Sequence, residues 1–146
     1  MQPIMTMEEI HDFLDREFPQ IHMDGRVLTI TDVRPGGLTM RLDPEERHLR
    51  PGATISGPSM VMLADVAAYA AILAHIGPVA LAVTTSLNVN FLRKPKLSPL
   101  FCNCSILKLG RRLAVIDTIL TQDSSGEAVA QATATYSIPP RQNEVQ

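Results

Sequence analysis

The sequence predicts an α+β domain in which a curved, mainly antiparallel sheet wraps around a long central helix. The segment from Ser56 to about Ile76 is apolar on nearly every side, and a helix of that kind must be enclosed by the rest of the fold. Four strand-like runs joined by short turns follow it, which is typical of an antiparallel sheet. The chain has 146 residues, so we expect a single domain, residues 1–146, with its core over about 26–138.

The first third of the chain predicts a helix and a hairpin. Apolar residues recur at helical spacing over Met7–Phe18, and Pro19 ends this extra N-terminal helix. Apolar and polar residues then alternate over Arg26–Val33 and Leu38–Asp43, on either side of an Arg-Pro-Gly-Gly turn, as in a β-hairpin. The stretch from Asp43 to Ser56 contains Pro and Gly and is expected to be a loop.

The central helix is expected to begin around Ser56-Gly57-Pro58-Ser59, because Ser can cap a helix and Pro is tolerated in its first turn. It ends at Gly77-Pro78. The strands that follow are predicted over Ala80–Leu92, Leu100–Leu109, Arg112–Thr121 and Glu127–Ile138, with turns at Gly110-Arg111 and Ser124-Ser125-Gly126. Alternate alanines on the last strand would let the helix lie close to the sheet. Residues 139–146 are expected to form a polar, mobile tail.

Composition and charge exclude several classes of protein. The formal net charge is −2, whereas a dedicated nucleic-acid binder is normally basic. Cys102 and Cys104 make no disulfide framework, and no metal site is expected because nothing gives them ligand spacing. The N-terminus lacks a signal-peptide pattern, and charged and helix-breaking residues interrupt the apolar stretch from Ser59 to Val83. We therefore expect a cytoplasmic protein that neither binds nucleic acid nor spans a membrane.

Asp65 is the most informative residue. It lies in the middle of the apolar helix and is the only Asp, Glu, Lys or Arg between Pro51 and Leu92. Burying a lone carboxylate is costly unless it is hydrogen-bonded, paired or placed at the wall of a cleft. Two interpretations follow: a general base or nucleophile, or a carboxylate bonded to a neighbouring loop or subunit for structure alone.

Basic residues cluster downstream of Asp65. The sequence contains no acid between Asp65 and Asp117 but six bases: Arg93, Lys94, Lys96, Lys108, Arg111 and Arg112. We expect this cluster either to hold phosphates at the mouth of a cleft or to form a solvated rim.

A polar row is predicted on the strand after the helix. By simple alternation, one face carries Thr84, Ser86, Asn88 and Asn90. Such a row faces solvent, a partner strand or a cleft, and Asn88 is a candidate for substrate contact. His48 and Arg50, in the loop before the helix, are further candidates, although a lone loop His is more often incidental than catalytic.

Four stretches carry a resemblance to a known family: "RPGATISGPSMVMLADVAAYAA", "AVTTSLNVNFLRKP", "KLGRRLAVIDTIL" and "GEAVAQATATYSI". In this order and spacing they resemble the hotdog-fold acyl-CoA thioesterases of the PaaI-like (phenylacetate-type) branch, over roughly Val27 to Ile138. The resemblance implies thioester hydrolysis to free acid and CoA, with no cofactor beyond the CoA of the substrate. It also implies a two-fold homodimer with active sites between subunits, often doubled into a dimer of dimers.

The resemblance assigns roles residue by residue. In the family, an acid follows eight residues after the first glycine at the start of the helix. Gly57 therefore takes the place of the oxyanion glycine, Asp65 that of the catalytic carboxylate, and Thr84 that of a water-positioning Ser. Relatives often contact the CoA nucleotide at the positions of Arg93, Lys94, Arg111 and Arg112.

The oxyanion site departs from the family pattern. Ser56 replaces the usual His, Pro58 replaces a second Gly and removes a backbone donor, and Arg50 stands where relatives often have Asn. The site would therefore depend on the Gly57 N–H, helped by Ser56 or Ser59. These changes favour an alternative function, a non-catalytic acyl-CoA binder or sensor. A hotdog hydratase or dehydratase is a further alternative, but it would normally need a catalytic His.

Gly57 and Asp65 are separated by eight residues of helix, a rise of about 12 Å. Both cannot reach one thioester carbonyl from the same chain, so Gly57 of one chain would act with Asp65 of the other. The sequence leaves open the acyl group, the base or nucleophile role of Asp65, and whether the N-terminal helix covers the pocket or supports the oligomer.

Overall fold

A computed structural model describes residues 1–122 and 126–140. Its helices are α1, Met7–Glu17, and α2, Gly57–Ile76. Its strands are β1, Leu28–Arg34; β2, Gly37–Leu42; β3, Leu49–Arg50; β4, Thr54–Ile55; β5, Val83–Phe91; β6, Leu100–Leu109; β7, Leu113–Thr121; and β8, Ala128–Ser137. Six strands form one antiparallel sheet in the order β1-β2-β6-β7-β8-β5, and α2 packs against it. The predicted α+β architecture and its order of elements are confirmed.

Helix α2 is central because it has no polar side to expose. Of its 20 residues, 14 are buried. Ala130, Ala132 and Ala134 of β8 are also fully buried, and these small side chains let the helix and the sheet approach closely. By length and composition alone α2 could span a membrane, but 78% of its most apolar window is buried inside the protein.

Helix α1 begins at a capping box in which Thr6 Oγ1 accepts from the Glu9 N–H and Glu9 Oε1 accepts from the Thr6 N–H. Its apolar face is buried in the core, and His11 Nε2 accepts a hydrogen bond of 3.1 Å from the Ile30 N–H of β1. A 3₁₀ turn, Pro19–His22, follows the helix. The N-terminal segment is therefore tied to the same sheet and core as the central helix.

The stretch from Asp43 to Ser56 is more ordered than the loop that its sequence predicts. It contains a 3₁₀ turn, Glu46–His48, and a hairpin of β3 and β4. Gly52 and Ala53 close that hairpin with positive φ angles of 97° and 57°. Strands of two residues are too short for an alternating pattern to reveal. Ser124 and Ser125 of the last predicted turn, and residues 141–146 of the tail, lie outside the described residues.

The predicted polar row on β5 is wrong at Thr84. Thr84 pairs with Tyr136, but Ser86 pairs with Thr135, so one extra residue is inserted into β5 between them. This β-bulge reverses the alternation of side chains. Thr84 therefore points to the helix side of the sheet, whereas Asn88 and its polar neighbours on β5 lie on the outer, exposed side.

Candidate active site

Asp65 is held by two hydroxyl groups from the sheet. Its carboxylate is half-buried on α2, where Thr84 Oγ1 of β5 donates to Oδ1 at 2.6 Å. Tyr136 Oη of β8 lies 2.8 Å from the same Oδ1 and 2.8 Å from the Asp65 carbonyl oxygen. Among the described residues, Oδ2 has no hydrogen-bond partner. One carboxylate oxygen is thus bonded twice while the other remains available.

Within residues 1–122 and 126–140, no Lys or Arg side chain forms an ion pair with this carboxylate. Two adjoining pockets include Asp65 in their walls, and none of the described residues that line them is Lys or Arg. Burial, together with the negative charge of Asp65, raises the pKa of Tyr136 well above its usual range, so Tyr136 stays protonated and can donate. The carboxylate is therefore stabilised by neutral donors, an arrangement that suits a group able to accept a proton.

The sequence pattern did not identify Tyr136 as a site residue. Tyr136 lies in line with Ala130, Ala132 and Ala134 on the helix-facing side of β8, and it is the one large polar side chain of that row. That alternation was visible in the sequence. Its contact with Asp65 was not, because 71 residues separate the two.

Gly57 is the first residue of α2, and its N–H has no acceptor among the described residues. Pro58 has no N–H, and the Ser59 N–H donates to Ser56 Oγ at 3.3 Å. Gly57 therefore leaves a backbone donor at the positive end of the helix dipole. A Cβ at this position would lie 3.4 Å from Phe91 Cζ, a close but tolerable contact.

An apolar groove of about 700 Å³ runs beside α2. Val61, Met62 and Val66 of α2 line it together with Tyr69, Tyr136 and Phe91, and both Gly57 and Asp65 contribute to its wall. Phe18 and Ile21 from the N-terminal segment also line it. The sequence left open whether the N-terminal helix covers the pocket or supports the oligomer. The segment at the end of that helix forms part of the groove wall.

A second groove, of about 620 Å³, adjoins the first and shares Gly57, Pro58 and Phe91 with it. Its wall contains three cationic side chains: Arg50, Arg93 and Lys94. Arg93 forms an ion pair with Glu127 at 2.6 Å. The Gly57 N–H accordingly lies where an apolar groove meets a basic one.

Within one chain, Arg93 and Lys94 do not lie near Arg111 and Arg112, so the prediction of a single basic cluster is wrong. Arg93 and Lys94 follow the end of β5 that pairs with Ala130, whereas Arg111 and Arg112 lie in the turn before β7, beside Ser137. These positions are at opposite ends of the sheet, separated by roughly 25 Å of strand. Residues close in sequence are far apart here because the β6–β7 hairpin carries its turn to the far end.

Three predicted contact residues support the start of α2 instead of lining either groove. Ser56 Oγ and Ser59 Oγ are 2.9 Å apart, and Ser59 Oγ donates to the His48 carbonyl oxygen. The His48 ring is buried, and its Nδ1 accepts from the Glu45 N–H. Ser56, Ser59 and His48 therefore organise the loop and the helix cap.

The candidate Asn88 and the buried His75 of α2 lie away from the grooves. Asn88 is on the outer face of β5 and so does not join Asp65 within one chain. His75 is buried, with Nε2 accepting from the Gly36 N–H and Nδ1 donating to the Ala71 carbonyl. Among the described residues, no group of three or more His, Cys, Asp or Glu is placed to hold a metal ion.

Comparisons with known proteins show the family and agree with the fold. The sequence model of the thioesterase superfamily matches residues 52–129. The chain is 47% identical to a candidate thioesterase from Silicibacter sp. TM1040 whose crystal structure is known; the match covers 96% of each chain with a TM-score of 0.85. No protein among the curated ones matches the sequence.

More distant structures share the fold. Thioesterase superfamily member 2 of zebrafish is 22% identical, over 92% of this chain and 99% of that one, with a TM-score of 0.79. A mutant of the phenylacetic acid degradation protein PaaI from Thermus thermophilus is 24% identical, over 77% of this chain and 93% of that one, with a TM-score of 0.68.

Proposed function

The chain belongs to the thioesterase superfamily and shares the fold of the PaaI protein, and from that premise we propose that it hydrolyses an acyl-CoA thioester to the free acid and CoA. The observation that carries the proposal is Asp65: a carboxylate with one oxygen bonded twice and the other unbonded among the described residues, at the wall of an apolar groove. Such a group can take a proton from water beside a bound acyl chain.

The two grooves fit the two halves of the substrate. The apolar groove suits an acyl chain, and the basic groove suits the phosphates of CoA. Glu127 partly neutralises Arg93, whereas Arg50 and Lys94 have no acidic partner among the described residues. The thioester would then lie between the grooves, near Gly57, where its carbonyl oxygen can accept from the Gly57 N–H.

A complete site requires two chains. Gly57 and Asp65 both lie on α2, about 12 Å apart along its axis, so we propose that each acts with its counterpart on a partner subunit. Strand β5 is an edge of the sheet, and Val83 and Phe91 at its two ends are each 53% exposed. An exposed edge of nine residues invites pairing with another strand.

Pairing of β5 with a second β5 would assemble that site. Phe91, at one end of the strand, contacts the Gly57 position, and Thr84, near the other end, bonds Asp65. Antiparallel two-fold pairing places the Phe91 end of one strand against the Thr84 end of the other. Gly57 of one chain is then brought towards Asp65 of the partner subunit.

In the proposed reaction, Asp65 Oδ2 takes a proton from water while the water oxygen bonds to the thioester carbon. The negative charge that develops on the carbonyl oxygen is stabilised by the Gly57 N–H and the helix dipole. The C–S bond then breaks, and CoA leaves as a thiol with the proton that Asp65 had taken. Alternatively, Oδ2 attacks the carbonyl carbon directly and the C–S bond breaks, so that CoA leaves as a thiolate and takes a proton from solvent. Water then hydrolyses the acyl-Asp65 anhydride to the free acid and the Asp65 carboxylate. Trapping of the anhydride with hydroxylamine would distinguish this route.

A non-catalytic acyl-CoA binder is the second candidate. The observation that favours it is the loss of a backbone donor at Pro58, together with capping hydroxyls at Ser56 and Ser59 that bond one another and not the groove. A hydratase is less favoured, since the imidazoles of His48 and His75 both accept backbone N–H groups outside the grooves.

The deciding experiment is hydrolysis of short, medium, long and phenylacetyl-CoA by the wild-type protein, with the products separated by chromatography. Release of free acid and CoA in equal amounts supports the proposal and names the acyl class. Saturable binding of an acyl-CoA that stays intact over a long incubation supports the binder instead. The mass of the protein in solution should show a dimer or a multiple of it, and an active monomer would contradict the two-chain site.

A further inference from the structure

We infer that Tyr136 is a positioning residue for Asp65: together with Thr84 it holds Oδ1, and it thereby presents Oδ2 to the groove. The inference rests on the proposed function, because it assigns a role within that site. Its basis is geometric. Two hydroxyls from neighbouring strands converge on one carboxylate oxygen, at 2.6 and 2.8 Å.

Tyr136 is itself held firmly. The residue is 3% exposed, and its ring stacks on Tyr69 with ring centroids 6.2 Å apart and an angle of 15° between planes. Tyr69 is in turn fixed by a hydrogen bond of 3.0 Å from its hydroxyl to the Ala80 carbonyl and by an edge contact with Phe18. Because each ring is braced by another group, Tyr136 Oη has little freedom to leave Asp65.

The pairing of β5 with β8 explains why both hydroxyls reach the same atom. Thr84 and Tyr136 are cross-strand partners, and the bulge after Thr84 turns its side chain to the helix side. Without the bulge, Thr84 would face outward and Tyr136 would be the sole donor. The carboxylate orientation is thus set by the sheet, not by the helix that carries Asp65.

An alternative is that Tyr136 only fastens α2 to the sheet, since Oη also lies 2.8 Å from the Asp65 carbonyl oxygen. The two roles differ in their dependence on pH. Loss of a donor to the ionised carboxylate makes protonation of Asp65 easier. In the described part of the chain, the other titratable groups that line the two pockets beside Asp65 are Tyr69 and Glu17. Neither of them is altered by replacing Tyr136.

The test is Tyr136→Phe, which keeps the ring and removes only the hydroxyl. We expect kcat to fall by roughly tenfold to a hundredfold with KM changed less than about twofold. The acid limb of the kcat–pH profile should move up by roughly one pH unit. Thr118→Val is the matched control: it loses a buried hydroxyl that donates to the Ala132 carbonyl of β8 and lies in neither groove, and its acid limb should stay in place.

An NMR titration does not depend on catalytic activity, so it can test this inference separately from the proposed function. In ¹³C-labelled protein, the carboxyl signal of Asp65, identified by its loss in Asp65→Asn, should titrate at a higher pH in Tyr136→Phe than in wild type. If the wild type hydrolysed no thioester, the proposed function would be contradicted, but the Asp65 titrations of wild type and Tyr136→Phe could still be compared. An unmoved titration midpoint would overturn the inference, even if kcat fell.

Thr84 supplies a second variant in case Tyr136→Phe does not fold, as judged by circular dichroism. Thr84→Val removes the other donor to Oδ1, and Thr84→Ser restores a hydroxyl. We expect the acid limb to shift in Thr84→Val and to return in Thr84→Ser. A shift in neither would show that the hydroxyls on Oδ1 do not control Asp65, and it would overturn the inference.

Discussion

The hydroxyl of Thr84 donates to Asp65 Oδ1 across 2.6 Å because a β-bulge in β5 turns Thr84 to the inner face of the sheet. Regular alternation would have placed Thr84 with Asn88 on the outer face. The extra residue in the strand therefore decides whether the helix carboxylate meets a donor from β5. Substitutions that alter the Asp65 carboxylate, or the Gly57 N–H at the start of α2, should therefore change the rate of hydrolysis.

Replacement of Asp65 by Asn should reduce kcat for acyl-CoA hydrolysis by at least about a hundredfold, because an amide cannot accept the proton that water must lose. The change preserves the size of the side chain, so the proposed dimer should stay intact. Asp117→Asn is the matched control, since Asp117 lies on the outer face of β7, bonded to Gln131. Hydrolysis measured by chromatography should be near wild type for Asp117→Asn, and equal losses in both variants would contradict the prediction.

Replacement of Gly57 by Pro should remove the backbone donor without breaking α2. Proline is favoured at the first position of a helix, and Ser56 before it is already extended, with φ −71° and ψ 154°. We expect kcat to fall by roughly a hundredfold. Gly57→Ala keeps the N–H and should retain much more activity than Gly57→Pro. If the two variants lost activity alike, crowding against Phe91 would explain the effect better than the donor does.

Two inactive variants should complement each other if each site draws on two chains. Gly57→Pro and Asp65→Asn, unfolded together and refolded as a mixture, should form heterodimers with one intact site. Random pairing should restore roughly a quarter of wild-type activity per dimer. A mixture of Asp65→Asn with the double variant Gly57→Pro/Asp65→Asn contains no intact carboxylate and should stay inactive. Absence of recovery in the first mixture would place both groups of each site in one chain.

The N-terminal segment should help to set the acyl preference. Ile21 lines the apolar groove together with Phe18, and its truncation enlarges that groove. In Ile21→Ala, the ratio of kcat/KM for a longer acyl chain to that for a shorter one should rise by about tenfold. Met23, which is 77% exposed and lines neither groove, supplies the control Met23→Ala. An unchanged ratio in Ile21→Ala would show that this wall does not contact the acyl chain.

Stability should decline on acidification below about pH 6.5. Burial first, and a neighbouring arginine second, lower the pKa values of His11, His22 and His48 in the folded protein. The unfolded chain, with a histidine pKa of about 6.5, then takes up protons before the folded one does. The stabilisation is therefore fully present above about pH 6.5 and is lost as the pH falls from there through the folded pKa values.

The measurement is the urea midpoint at fixed protein concentration across this range. His11→Gln keeps an acceptor for the Ile30 N–H but does not titrate. Its midpoint should therefore fall less steeply with decreasing pH than that of the wild type. An equally steep fall would assign the effect to groups other than His11.

Several features could be predicted from the sequence because they depend on local pattern. The all-round apolarity of Ser56–Ile76 required an enclosed helix, and alternation placed the sheet strands within a few residues of their observed bounds. Asp65 stood out as the lone charge in that helix. Gly57 could be placed at its start by capping chemistry and by family resemblance.

Other features depend on how distant segments pair. Alternation alone predicted that Thr84 shares a face with Asn88, and only the pairing of β5 with β8 shows the bulge that separates them. Sequence proximity suggested one basic cluster, but the β6–β7 hairpin carries Arg111 and Arg112 to the far end of the sheet from Arg93.

The amino-acid sequence singled out the groups proposed to carry the chemistry: its pattern identified a carboxylate in an apolar helix, and its family resemblance pointed to the glycine N–H at the start of that helix. The orientation of that carboxylate became visible only in the folded chain. Tyr136 is 71 residues from Asp65 in the chain, and their 2.8 Å contact depends on the register of the sheet and its packing on α2. Local sequence pattern carries periodicity and capping, whereas such long-range contacts are set by how whole elements pack.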